Sequence, residues 1–150
     1  MFDIDGVVAD VRHRLHHLRR RRWHRFFDEA DADPLLAPGA ALVADLGARH
    51  EIVWLTGRPE WLREVTAEWL ARHGLPGTEL HMRPDGDYRP ARDYKLSVLR
   101  RLAPRGIAAL VDDDPDVIAA ASAAGYPAAL ADWVARDADL RDAQERYGTT

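Results

Sequence analysis

Three short apolar runs, each passing directly into acidic or hydroxyl-bearing residues, constrain the fold of this chain more than any other feature. They are Met1 to Ile4, Glu51 to Leu55 (EIVWL) and Ile107 to Val111 (IAALV), with the length and flanks of buried strands in a parallel sheet. Between them the spacing turns helical. From Pro59 to His73, Trp61, Val65 and Trp69 recur every four residues, as do Leu62, Thr66 and Leu70, with Gly74 just past the end. Leu96, Leu99 and Leu102 or Ala103 mark a second helix, ended by Pro104 and Gly106. Val117, Ala120, Ala121 and Ala124 mark a third, ended by Gly125. Strands alternating with helices predict an α/β fold, a Rossmann-like parallel sheet with helices on both faces. Ligands of such sheets bind at the carboxyl ends of the strands.

At 150 residues, with no repeat and no linker, the chain reads as a single domain over 1–150. No run approaches the ~18 apolar residues of a membrane span. The opening MFDIDGVVAD carries acids where a secretory signal carries basic residues, so a cytoplasmic protein without membrane attachment is expected. Only Met1 and Phe2 precede Asp3, so either the first strand is short or the natural start lies upstream. The absence of cysteine excludes a disulfide framework, a thiolate nucleophile and a thiolate metal site. Any metal is then held by oxygen or imidazole.

Each strand leads into polar chemistry: Asp3, Asp5 and Gly6 after the first, Thr56-Gly57-Arg58 after the second, Asp112-Asp113-Asp114 after the third. The topology brings all three to one crevice. Carboxylates crowded together raise one another's pKa unless a cation compensates. Magnesium suits such a set, because it takes a few carboxylate oxygens together with water and substrate phosphate. Thr56 offers a hydroxyl, and Gly57 lets the backbone approach an anion near the start of the next helix. Lys95, early in the following helix, can neutralise a phosphoryl oxygen and an aspartate together. The site reads as metal plus phosphate.

The order of DxD in FDIDGVVAD, Thr in VWLTGRP, Lys in DYKLSVL and the acidic pair in ALVDDDP resembles the four motifs of haloacid dehalogenase phosphatases, over residues 2 to about 130. The resemblance implies Asp3 as the nucleophile, Asp5 as general acid and then base, Thr56 as a phosphate ligand, and Lys95 as the cation holding phosphate and nucleophile. Asp3, Asp5, Asp112 and Asp113 would form the Mg2+ site. Neither the stretch from Asp10 to Ala37, a small helical flap, nor Pro76 to Arg92, a strand and a loop, can fold into a large cap domain.

A narrower resemblance follows. HMRPDGDYRPARDYKLSVL, with TGRPEWLREVTAEWL, is similar to the phosphatase half of polynucleotide kinase-phosphatases, which implies terminal (3′) phosphates of nucleic acid as substrate. Arg58 and Arg83 would contact that phosphate, while Ala91 and Arg92 stand where more acidic character is the pattern. No Walker-type GxxxxGK[ST] is present, so no kinase half is expected, and a kinase or ligase partner is left open. The rival readings are a capless phosphatase of nucleotides, sugar phosphates or phosphoproteins, and a non-catalytic nucleic-acid-binding module.

The net charge of −4 does not draw nucleic acid overall. The flap segment VRHRLHHLRRRRWHRFF, with seven arginines, four histidines and Trp23, could track a phosphodiester backbone and stack a base. Equally, it could bury Leu15, Leu18, Trp23 and Phe26 or Phe27 and simply solvate its arginines, with His13, His16 and His17 solvated or packed in the flap rather than metal-bound. Asp114 is expected to cap the helix opening at Pro115. Trp54, Trp61 and Trp69 are expected in the core. Residues 132–150 read as a peripheral segment with a loosely attached helix held by Val134 and Leu140.

Overall fold

In the computed structural model, which describes residues 1–77 and 79–146, the sheet is built around a single residue, Phe2. Four strands surround it: β1 (Val53–Pro59), β2 (Glu79–Arg83), β3 (Leu110–Asp112) and β4 (Ala128–Leu130). Phe2 bridges Trp54 on one side and Val111 on the other, both in parallel sense. Its amide donates to the Val53 carbonyl at 2.9 Å and its carbonyl accepts from the Leu55 amide at 2.8 Å. On the other side the Asp3 amide donates to the Val111 carbonyl at 2.9 Å. β2 pairs in parallel outside β1, and β4 in parallel outside β3, so the order is β2, β1, N-terminal segment, β3, β4.

The first expected strand is therefore reduced to one bridged residue, because the chain turns at once: the amides of Val7, Val8 and Ala9 all donate to the Ile4 carbonyl. Other boundaries move as well. β1 starts at Val53 and runs on to Pro59 with an irregular register after Leu55, so Thr56, Gly57 and Arg58 lie on the strand's end rather than in a loop beyond it. β2 fills the place where a strand and a loop fitted, while the three-residue β4, within the short alanine-rich run Ala128 to Ala131, was not expected.

Strand side chains alternate between faces, and that parity places the chemistry. Phe2, Ile4, Ile52, Trp54 and Val111 meet Val43 of α2 (Ala37–Gly47) and Trp69 and Leu70 of α3 (Arg63–Arg72). Leu55 and Leu110 meet the opposite layer, Tyr94, Val98 and Leu99 of α4 (Ala91–Leu102) and Val117 and Ala121 of α5 (Pro115–Ala123). Asp112 shares the parity of Leu110, and Asp3, one residue past Phe2, shares it too. Both therefore face α4. The predicted Rossmann-like α/β sheet, helices on both faces, is present, and no cap domain occurs among the described residues.

Trp54 and Trp69 are buried as expected, with indole N–H groups donating to the carbonyls of Pro76 and Asp33. Trp61 is not: it is 49% exposed. The expected helix begins with a 3-10 turn, Glu60–Leu62, whose three residues per turn break the phase of the four-residue pattern and turn Trp61 outward. Asp114 caps α5, accepting from the Asp116 amide at 2.8 Å.

The flap consists of a 3-10 helix (Arg12–Arg20), α1 (Trp23–Asp28) and a 3-10 turn (Ala30–Ala32). Leu18, Phe26 and Phe27 pack with Leu62 and Met82, and with Leu140 and Ala143 of α6 (Ala138–Glu145). α6 is thus firmly seated where the sequence suggested loose attachment, although residues 147–150 of that segment lie outside the described ones. No helix among the described residues is long and apolar enough to cross a membrane.

Candidate active site

The tight turn at Asp3 to Ala9 closes on Gly6, whose φ of +75° is in the left-handed region. A Cβ at this position would collide with the Asp113 carboxylate, so the glycine lets the two acidic loops close on each other. Asp3 Oδ1 accepts from the Ile4 amide at 2.8 Å, which fixes the carboxylate at the head of the turn. Lys95, on the same face, reaches across: its Nζ lies 2.7 Å from Asp3 Oδ2 and 2.7 Å from Asp112 Oδ2. The other Asp112 oxygen accepts from the Asp114 amide at 3.0 Å.

Asp3, Asp112 and Asp113 each offer an oxygen within 4.8 Å of the others. When ionised, three carboxylates against one ammonium leave two negative charges, the deficit that a divalent cation balances. The electrostatics agree. Burial raises the Asp3 pKa, Lys95 lowers it, and Asp112 and Asp5 raise it again, to about 7. Burial also raises Asp112 against the pull of Lys95. Burial, Asp112 and Asp3 hold Asp113 well above the usual carboxylate range. The Lys95 pKa is raised as well: burial opposes its charge, but Asp112 and Asp3 overcome burial and keep it protonated. Asp113 Oδ1 is buried with no hydrogen-bond partner among the described residues, the signature of an oxygen that awaits a cation. The donor set fits a hard metal ion.

The Asp5 side chain, which the sequence placed with these metal ligands, belongs to a second set. Its Oδ1 accepts from Arg58 Nε at 3.0 Å, Arg58 Nη2 at 2.5 Å and Arg14 Nη2 at 3.0 Å. Asp33 completes the set, accepting from Arg14 Nε at 2.7 Å, Arg14 Nη2 at 2.7 Å and Arg58 Nη2 at 2.7 Å. Two guanidiniums and two carboxylates balance, all of them buried. Burial works against the Asp5 charge, yet Arg58 and Arg14 prevail and hold its pKa below the usual range.

Arg58 is fully buried in this network, so the expected contact with substrate phosphate is not prepared: its donors go to Asp5 and Asp33. Arg83 is turned to its own loop, donating to the Arg89 carbonyl at 2.8 Å and lying 4.9 Å above the Tyr94 ring. Burial lowers its pKa, with Asp87 opposing. Thr56 is buried beside the turn, and its Oγ1 accepts from the Arg58 amide at 3.2 Å. Gly57 follows it on the end of β1, not at a helix start.

The family model for the polynucleotide kinase PNKP phosphatase domain matches residues 1–128. The chain belongs to this family. It is a phosphatase. Solved structures agree on the fold: "Structure of Pnkp1/Rnl/Hen1 complex" and "Structure of the Pnkp1/Rnl/Hen1 RNA repair complex" each superpose with a TM-score of 0.72 at 23% identity. They cover 87% and 86% of this chain but only 43% and 40% of their own, so the phosphatase spans about two fifths of those proteins. No curated protein matches it in sequence.

Sequence reasoning missed Arg14 and Asp33 in this PNKP-type phosphatase. Arg14 is one of seven arginines in the flap run, and only the 3-10 repeat of three singles it out by stacking it over the buried Val11. Asp33 sits in a polar stretch with no spacing to mark it. The flap histidines His13 and His17 face carboxylates, 2.8 Å from Asp33 and 2.9 Å from Glu29, and no metal set among the described residues includes them.

Proposed function

We propose that the protein is a Mg2+-dependent phosphomonoesterase that removes the terminal phosphate, the 3′ phosphate first among candidates, from a polynucleotide by way of an aspartyl-phosphate on Asp3. The observation that carries this reading is Lys95 Nζ standing 2.7 Å from both Asp3 and Asp112, beside an Asp113 oxygen without a partner.

The Asp3 carboxylate attacks phosphorus, forming an Asp3 O–P bond as the ester O–P bond breaks. Arg14 and Arg58 hold Asp5 as a carboxylate in the free protein, so it takes up a proton as substrate binds. It gives that proton to the leaving oxygen, then takes one from the water whose attack on phosphorus breaks the Asp3 O–P bond and releases inorganic phosphate. Lys95 holds Asp3 in place and neutralises charge on the transferring group, aided by Thr56 and the Gly57 backbone as phosphate ligands. Asp3, Asp112 and Asp113 would hold the Mg2+, which when bound supplies positive charge to the phosphate oxygens. Arg14 and Arg58 act one step back, as positioning residues that aim Asp5 and keep it a carboxylate, the form the second step needs.

The nucleic-acid part of this reading draws on the family and on the structural neighbours, which were solved in an assembly described as an RNA repair complex with Rnl and Hen1. An RNA end is accordingly the first substrate to try, and further repair components are the partners to seek. The cysteine-free composition supports a reducing, cytoplasmic setting.

The test is Mg2+-dependent phosphate release from a 3′-phosphorylated oligonucleotide, a 5′-phosphorylated one, a 3′-mononucleotide and an aryl phosphate, with Asp3→Asn as control. The reading expects the 3′-phosphorylated oligonucleotide to be preferred. Equal or greater activity on the small esters would instead indicate a general capless phosphatase, and no release from any of the four would overturn the catalytic reading.

A further inference from the structure

The mechanism leaves one feature unused. At the same edge of the sheet as Asp3, the turns that follow β1 and β2 close with the start of α1 around a cleft of about 260 Å³, lined by the rings of Trp23, His24, Trp61 and Tyr88 together with Arg83, Asp85 and Asp87. Its rings are open to solvent: Trp61 is 49% and Tyr88 71% exposed. Trp61 is nonetheless held in place. The buried Phe27 meets it edge-on, centroids 5.7 Å apart at 88°, and His24 lies 5.9 Å away at a 37° tilt. A rigid, solvent-facing indole is a stacking platform, since it exposes a π-face without freedom to collapse onto the protein.

Charge says what would lie there. Arg22 and Arg25 flank Trp23 and His24 in the chain, and with Arg20 they are exposed and make no ion pair among the described residues. Other exposed flap arginines do pair, Arg12 with Asp10 and Arg19 with Asp139. On a chain of net charge −4, these guanidiniums, two of them next in sequence to Trp23 and His24, outnumber the cleft's exposed acid, Asp85, since Asp87 pairs with Arg83 and Arg89. They fit a phosphodiester backbone carrying planar bases. The volume is below the ~300–1,000 Å³ of pockets that enclose a whole small ligand, as suits a single base. β2 lies two strands from the Asp3 segment. At ~4.8 Å per strand that is ~10 Å, at most roughly three nucleotides, since ~3.4 Å is the rise of a fully stacked strand and an unstacked one spans more.

We infer that this cleft is a nucleobase-stacking subsite for single-stranded nucleic acid, which holds a base within about three nucleotides of the phosphate to be removed. The inference rests on the polynucleotide reading above and adds where, and by what chemistry, the strand is held.

The test compares wild type, Trp61→Ala and Tyr88→Ala on a 3′-phosphorylated oligonucleotide and on an aryl phosphate, with the melting temperature of each variant measured. It adds oligonucleotides carrying one abasic residue at each of the last four positions. The expected result is a loss of roughly 5- to 100-fold in kcat/KM on the oligonucleotide, carried by KM, with the aryl phosphate within about twofold of wild type. One abasic position should reproduce the loss in wild type and cost nothing further in Trp61→Ala. A wild type that prefers the oligonucleotide yet is insensitive to both substitutions and to every abasic position overturns the subsite and leaves the polynucleotide reading intact. A wild type with no preference for the oligonucleotide overturns both. A loss in Trp61→Ala shared equally by the aryl phosphate overturns the subsite as a base-binding element.

Discussion

Arg58 grips the Asp5 carboxylate from two nitrogens, Nε at 3.0 Å and Nη2 at 2.5 Å, while the same Nη2 holds Asp33 at 2.7 Å. In the proposed mechanism an arginine so engaged acts on the substrate through Asp5. Arg58→Lys keeps the charge but loses the fork. It should lower kcat at least tenfold with KM within about threefold, and shift the acidic limb of the pH–rate profile upward as Asp5 loses part of its cationic support. A rise in KM with kcat unchanged would place Arg58 on the substrate phosphate instead. Arg58→Ala leaves buried carboxylates without their partner and should destabilise the fold by about 3–5 kcal/mol, read by urea unfolding.

The roles given to Asp3 and Asp5 separate with the leaving group. An aryl phosphate departs with little need of a proton, whereas a sugar hydroxyl needs one. Asp5→Asn should therefore reduce kcat/KM on an oligonucleotide by roughly 10²–10⁴ and by distinctly less on the aryl phosphate. Asp3→Asn should abolish both, and equal losses on the two substrates in Asp5→Asn would contradict the proton-transfer role.

Gly6 is the contact point between the turn and Asp113. Gly6→Ala meets a positive φ and a carboxylate in the same place, at a cost of about 1–3 kcal/mol in stability. The collision displaces an acid of the metal set. Mg2+ titrations of activity should show half-saturation shifted upward at least fivefold, while wild-type half-saturation would argue that Asp113 takes no part in holding the ion.

The acidic cluster also predicts a pH-dependent stability. Without metal, burial raises the Asp3 carboxyl to about 7, while an unfolded aspartate titrates near ~3.9. Across that interval the folded state binds more protons than the unfolded one, so stability falls as pH rises through about 7. Asp5 has the opposite sign, with its lowered pKa contributing stability that is lost only in more acidic solution. Mg2+ needs the carboxylates ionised, so its stabilisation should grow over the same range. Thermal melts with and without Mg2+ should show a clearly larger shift at about pH 8 than at about pH 5.5, and equal shifts would count against a metal at Asp3, Asp112 and Asp113.

The sequence made some of this legible and hid the rest for physical reasons. Asp3, Lys95 and Asp112 could be brought together because each follows or faces a strand, and sheet parity then leaves their side chains little choice of direction. Asp5 and Arg58 could be named but not placed, since a carboxylate next to a metal cluster reads as a ligand until the arginines that claim it are seen. Those arginines include Arg14, carried in by a 3-10 helix that periodicity at 3.6 cannot reveal. Trp61 was misplaced for the same reason. The first strand failed as a strand because a tight turn begins one residue after Phe2, which makes both of its bridges, and such a turn is set by Gly6 and the Ile4 carbonyl rather than by an apolar run.

In the proposed mechanism Asp3 carries the phosphoryl group. The most direct test is to mix the enzyme and Mg2+ with an oligonucleotide bearing a radiolabelled 3′ phosphate, quench with acid within the first turnover, and map the protein-bound label. The expected result is an acid-stable, hydroxylamine-labile phosphoryl group on Asp3 that forms before free phosphate accumulates and is absent in Asp3→Asn. Release of phosphate with no label on Asp3 at any time, or at an undiminished rate in Asp3→Asn, would contradict it.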